Sequence, residues 1–284
     1  MTTATEYDTM IEGFRAAGAG LVRVSYPFEG CAVVSMHDPA RLNALSGPLT
    51  VRLRDELERA IANPAVRAIV LTGEGGAFSA GGDLRLMRDT AWPLLATHDG
   101  TTALWRWIRT QFGGIVRLIA QSDKPFIAAV DGPAAGVGLS FALACDLVLV
   151  STRARLVSAF GRIGLVPEVG ISWLLTRRLG HARAFELFVS GEPLSGEDAV
   201  RLGLANAAHA PEALEEAAFG WVRKILALPE HAVRMTKPLL RGAADMAWPH
   251  AILAEEFAEP NCFTTAAHRE VVSAMLEKRS GSRT

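Results

Sequence analysis

Cysteine, long apolar runs and a surplus of either charge are what this 284-residue chain lacks, and each absence removes a class of function. The three cysteines, Cys31, Cys145 and Cys262, are odd in number and far apart. They offer neither a metal-ligand spacing nor a disulfide framework, so buried free thiols in a reducing, cytoplasmic setting are expected. Lys and Arg total 29 against 30 Asp and Glu, a formal net charge of -1. Without a basic surplus there is no footprint for nucleic acid or anionic lipid, and the short basic stretches at 105–110 and 176–180 read as solvated helix faces. No apolar run reaches the ~18 residues of a membrane span. The start, MTTATEYDTMIEGFRAAG, carries acids early and no signal-peptide core, so no membrane insertion is expected.

What is abundant is apolar residues, 50% of the chain, and glycine, with 26 residues. That composition supports one large core. After a loosely organised start, residues 22–39 read as two short strands around the turn PFEG, and 48–63 as an amphipathic helix with Leu49, Leu53, Leu57 and Ile61 on one stripe, capped near Ser46 or Gly47. A rhythm of strand, glycine loop and helix follows. VRAIVLTG (66–73) leads through EGGAFSAGGD into a helix, and after a long helical stretch KPFIAAV (124–130) leads through DGPAAGVG into the helix LSFALACD. LVLVST (147–152) is a further strand, residues 156–160 suggest another, and 170–180 is a helix. This alternation predicts an α/β fold with a largely parallel sheet. From about residue 195 the chain reads as helical to its end, dividing it into an α/β core over 1–200 and a helical region over 201–284.

Both glycine loops follow a buried strand and open a helix, where unpaired backbone N–H groups favour negative charge. GVGLSF lacks the third glycine of a dinucleotide fingerprint, and neither loop has the Gly-Lys-Ser/Thr of a P-loop. Two such loops on successive strand–helix units can instead aim their N–H groups at one oxygen, the arrangement of an oxyanion hole.

NALS (43–46), AFSAGGDL (77–84), DGPAAGVGLSFALACD (131–146) and GLVPEVG (164–170) stand in the order and at the spacings of the crotonase, or enoyl-CoA hydratase/isomerase, superfamily. VVSAMLEKR (271–279) is similar to that family's last helix, so the resemblance runs from residue 22 to about 279. It implies a superhelix of ββα units, a helical C-terminal region that makes trimers or dimers of trimers, a coenzyme A thioester as substrate, and no separate cofactor. It places the oxyanion donors on the backbone N–H groups of Gly82 and Val137. It places adenine and pantetheine contacts along Arg41, Leu42 and Ala44 and along the loop Ala80, Gly81, Asp83 and Leu84, with Asp83 also an N-cap. Lys278 matches a position that reaches a neighbour's CoA phosphate, or is a plain surface lysine.

The sequence departs from the family's hydratases at both of their acids: those positions hold Ser140 and Phe160. Neither is a base near neutral pH, and with Pro167 they are expected to line the pocket. The acid that is present, Glu168, follows the proline, where some isomerases of the family carry one. Set among Val166, Val169, Ile171 and Trp173, its charged form would be disfavoured and its pKa raised, which suits a general base; as a first-turn helix carboxylate it would only interact with the dipole. The resemblance implies an enoyl-CoA isomerase moving a proton between C2 and C4. The alternatives are a hydratase or hydrolase on the same fold and a non-catalytic CoA-ester-binding protein. His98 offers a second acid/base or an ordinary surface histidine. Trp92, Trp105 and Trp107 offer an acyl cap or core, and the other six histidines show no metal spacing.

Overall fold

The computed structural model describes residues 6–281, with side chains through Lys278; residues 1–5 and 282–284 of the two expected regions lie outside it. Two antiparallel strands, β1 (Val22–Ser25) and β2 (Gly30–Met36), start the sheet, with the expected turn between them. Helix α2 (Gly47–Ala62) begins at Ser46, whose Oγ accepts the Leu49 N–H, and its leucine stripe is buried. Then β2 pairs in parallel with β3 (Val66–Gly73), which pairs with β4 (Phe126–Val130) and onward to β6 (Leu147–Ser151).

These parallel strands are apolar on both faces, as a sheet covered on both sides requires. Cys31, Val33, Ala68, Val70, Ile127 and Ala129 point to one core. Ala32, Val34, Ile69, Leu71, Phe126 and Ala128 point to the other, larger one. The larger core is covered by α2, by α6 (Gly113–Gln121), by α7 (Val137–Ala144), buried at every residue, and by α8 (Ile171–Leu179). The smaller core is covered by α11 (Leu214–Leu226), through Leu214, Ala218 and Val222.

The region after residue 195 is not all helix. Strand β9 (Ala207–His209) pairs with β6 and ends the six-stranded sheet. A second, three-stranded sheet joins β5 (Pro133–Ala135), β7 (Arg155–Val157) and β8 (Leu194–Ser195). Of these, β7 overlaps the start of the strand suggested at 156–160, while β5, β8 and β9, of two or three residues, carry too little pattern to be read from sequence. The start is not loose either: α1 (Glu6–Ala17) is a helix that packs on α2.

The C-terminal helices are α12 (Glu230–Ala243), α13 (Trp248–Phe263) and α14 (Ala266–Gly281). Buried charge fastens α12 to the core. Lys237 Nζ lies 2.8 Å from Asp146 Oδ2 and donates to the carbonyls of Ile119 and Lys124, while Arg241 donates to Asp146 Oδ1 at 2.8 Å. With all three Lys237 donor positions engaged, the desolvation of its charge is compensated. All three cysteines are free thiols; Cys31 and Cys145 are buried, but Cys262 on α13 is half-exposed.

Candidate active site

The two glycine loops interlock. Ser79 N–H donates to the Pro133 carbonyl and Ala135 N–H to the Ser79 carbonyl, both at 2.9 Å. Two glycines allow this approach. A Cβ on Gly81, whose φ is +89°, would stand 2.6 Å from the Ala135 carbonyl oxygen, and one on Gly138 would stand 2.7 Å from Ser79 Cβ. On its other side the first loop bonds to the segment before α2: Leu45 N–H to the Gly81 carbonyl at 2.7 Å, Ala80 N–H to the Leu42 carbonyl at 2.9 Å. Gly82 follows at the mouth of one loop and Val137 opens α7 from the other. Among the described residues neither N–H finds a protein acceptor. Two backbone donors without partners, on loops clamped to each other, can receive an oxygen that gains negative charge. The Val137 side chain is 2% exposed, packed in the core, so its bulk does not narrow the site.

Asn43 and Ser79 hold this arrangement, and neither is given a role by sequence reasoning. Asn43 is fully buried at φ 55°, a conformation its short polar side chain tolerates. Its Oδ1 accepts the Asp38 N–H at 2.7 Å, and its Nδ2 donates to the carbonyls of Ala77 and Glu74 at 2.7 and 3.0 Å. Ser79 Oγ donates to the Asn43 carbonyl at 2.8 Å and accepts the Gly81 N–H at 3.1 Å. A polar side chain inside an apolar motif, as at NALS and AFSAGG, is the signal that marks them, since a buried amide needs partners.

A cavity of about 660 Å³ opens beside Gly82. Its wall is mostly apolar: Met10, Phe14, Leu86, Met87, Leu94, Leu104, Ile108, Phe112 and the tryptophans Trp92 and Trp107 contribute, with Ile163, Leu165 and Val166 opposite them in sequence. Much of it comes from the helical stretch between β3 and β4. There two π-helical turns, Met87–Ala91 and Ile108–Phe112, interrupt the α-helical pattern. Single π turns recur at functional sites, because the extra residue re-aims a helix face. Trp107 is buried and meets Phe112 edge to face at 5.8 Å. Trp105 is exposed and outside the wall, as is His98, which sits in an exposed turn.

Two acids reach this cavity, Asp83 and Glu168. Asp83 is committed: its Oδ1 accepts the Arg85 N–H at 2.8 Å, the expected N-cap. Glu168 is not. Among the described residues its carboxylate has no ion-pair partner, and burial alone pushes its pKa up to about 7. Its surroundings differ from the expected ones, since Val166 and Trp173 are largely exposed, whereas Ile171 is buried. Nor does it belong to the first turn of α8, whose N-cap is Gly170. Between them Val169 has φ 50°, a left-handed conformation that a β-branched residue seldom adopts. Such strain is found where surrounding structure fixes a functional geometry.

The remaining expected contacts divide. Gly82, Asp83 and Leu84 border the cavity with Glu168. Arg41 and Leu42 are exposed on the adjoining segment, with Arg41 3.8 Å from Asp38, and Ala44 and Ala80 are partly covered. Ser140 and Phe160, expected to line the pocket, are not in the cavity wall. Ser140 is fully buried and its hydroxyl donates to the Gly136 carbonyl at 3.3 Å, so it is spent on its own helix. Phe160 is 3% exposed and packs near the Gly136 turn. Pro167 is half-buried beside Glu168 but outside the wall, and Lys278 is exposed on α14.

Residues 28–282 match the family model described as enoyl-CoA hydratase/isomerase. The chain is 31% identical over 257 residues to 1,2-epoxyphenylacetyl-CoA isomerase of Escherichia coli K12, covering 90% of this chain and 96% of that protein. It is 31% identical over 209 residues to 4-chlorobenzoyl coenzyme A dehalogenase-1 of an Arthrobacter species, covering 74% of each. Among solved structures, an enoyl-CoA hydratase of Bacillus anthracis superposes with a TM-score of 0.83 at 26% identity, covering 91% of this chain and 96% of that one. An enoyl-CoA hydratase/isomerase of Cupriavidus metallidurans CH34 does so at 0.82 and 31% identity, covering 91% and 94%. With interlocked glycine loops, an apolar cavity beside them and this breadth of similarity, the chain belongs to the crotonase, or enoyl-CoA hydratase/isomerase, family.

Proposed function

We propose that the protein is an enoyl-CoA isomerase that moves a proton between C2 and C4 of a 3-enoyl-CoA. Glu168 takes the C2 proton and becomes neutral as the thioester becomes a dienolate. The N–H groups of Gly82 and Val137 hold the oxygen on which that negative charge gathers, and the same carboxyl returns the proton at C4. Atoms and charge balance with one acid and no water.

The observation that carries this reading is that Glu168 is the one uncommitted carboxylate among the described residues of the cavity wall. Its pKa near 7 supports a base that is ionised at neutral pH and still strong enough to accept a carbon-bound proton. Hydration in this family asks for two acids about the double bond, and Ser140 and Phe160 supply neither. Turnover of a 3-enoyl-CoA deuterated at C2, in ordinary water, tests the proposal: 2-enoyl product carrying deuterium from C2 at C4 is expected. Water addition at C3 as the main outcome would replace isomerase with hydratase.

We infer further that the subunits associate as trimers through the C-terminal helices. Trp248 and Phe257 of α13 are about three-quarters exposed, and Met275 of α14 is 61% exposed, an apolar surface that a monomer would leave in water. Sedimentation at micromolar concentration is expected to give three subunits or a multiple; a monomer would refute it.

A further inference from the structure

Helix α1 lies outside the family match, which begins at residue 28, yet two of its side chains, Met10 and Phe14, stand in the wall of the catalytic cavity. Its seat is built rather than incidental. Phe14 meets Trp107 edge to face at 5.7 Å, and a Cβ on Gly47 would stand 2.5 Å from the Phe14 ring, so that glycine is what leaves room for it. Polar contacts fix the helix in register. Tyr7 Oη is 2.7 Å from Thr110 Oγ1 on the second π turn, and Arg15 Nε donates to Asp55 of α2 at 2.6 Å. Arg106 lies over the Tyr7 ring at 4.3 Å and pairs with Asp8 at 3.1 Å.

The cavity these contacts enclose is large. A cavity of ~150 Å³ suffices for benzene, so about 660 Å³ holds roughly four such volumes, part of it taken by the thioester itself. Within it the lining is chiefly carbon, with Glu168 as the free carboxylate. We propose that α1 is an acyl-specificity element: Met10 and Phe14 close a cavity built for a large apolar acyl group, on the order of ten carbons or more, and Met10 sets how large. This rests on the acyl-CoA reading of the site, though not on isomerase chemistry, because it concerns binding alone.

Calorimetric titration of the full chain with saturated, unreactive butyryl-CoA and decanoyl-CoA tests it. Decanoyl-CoA is expected to bind at least about tenfold more tightly, since six further methylenes leave water. Met10→Trp, which fills the cavity, should weaken decanoyl-CoA at least about tenfold and leave butyryl-CoA within about twofold. Met10→Ala, which widens it, should move the preference toward palmitoyl-CoA. Thermal melts matched to wild type establish that both variants fold. A wild-type chain that binds both esters equally, or a preference unmoved by both substitutions, overturns the role of α1 while leaving the acyl-CoA site intact. Absence of binding to any acyl-CoA overturns the acyl-CoA reading together with it.

Discussion

The interlocked glycine loops and the cavity beside them are built in opposite ways. The loops are backbone: hydrogen bonds between them, two glycines without room for a Cβ, and a buried Asn–Ser brace hold N–H groups in place. The cavity is side chain: tryptophans and aliphatics on helices with π turns, and one carboxylate on a strained loop. The first region can serve any thioester that must bear an enolate. In the proposed reaction the second would decide which thioester is bound and which proton moves. One region is thus fixed by backbone geometry, and the other by residue identity.

That contrast can be broken most sharply at Glu168. Glu168→Gln keeps the shape and removes the base, so turnover of a 3-enoyl-CoA should fall by about 10²–10⁴ while acyl-CoA binding persists; unchanged turnover would strip Glu168 of its role. On the backbone side, Asn43→Ala should cost about 3 kcal/mol in urea unfolding, because the Asp38 N–H and the Glu74 and Ala77 carbonyls lose their buried partner. It should lower kcat more than it raises KM; a variant with wild-type stability would show the brace to be dispensable.

A smaller effect sharpens the electrostatics. With a folded pKa of about 7 against 4.5 for a free carboxyl, native Glu168 holds a proton that the unfolded chain has lost between those values. Stability therefore declines as pH rises from about 4.5 to about 7 and the contribution is constant above. Glu168→Gln should gain most over wild type in thermal melts above pH 7 and nothing below pH 4.5, and wild-type kcat/KM should rise with pH through about 7. A stability difference independent of pH would contradict the burial of this acid. Smallest is Val169→Gly. Release from φ 50° and the entropy of glycine nearly cancel, so stability should stay within about 1 kcal/mol while kcat falls as Glu168 loses its fixed aim. A loss above about 2 kcal/mol would place the role of Val169 in packing instead.

Much of the fold was legible because long strands and amphipathic helices announce themselves. VRAIVLTG and FIAAV are apolar on both faces, and the leucines of α2 keep a helical period. Glu168 and the paired glycine loops were legible for a related reason: an acid in an apolar run and glycines after strands are locally odd. What stayed hidden depends on partners far along the chain. Ser140 reads as a pocket residue until its hydroxyl is seen bonded to Gly136. Helix α1 carries a periodic set, Tyr7, Met10, Ile11 and Phe14, but only Gly47 and Trp107 explain why it is docked.

The docking of α1 also has a consequence in time. It is the first described element to leave the ribosome, yet the residue that Tyr7 contacts, Thr110, follows 103 positions later. Until that segment emerges, α1 can pack on α2 but Phe14 has no Trp107 to meet. Contacts of such separation form late, after local structure has repaid part of the loop-closure cost. The wall assigned here to acyl selection is accordingly made by the two ends of a long loop, and a nascent chain stopped before residue 107 contains α1 but no cavity for it to close.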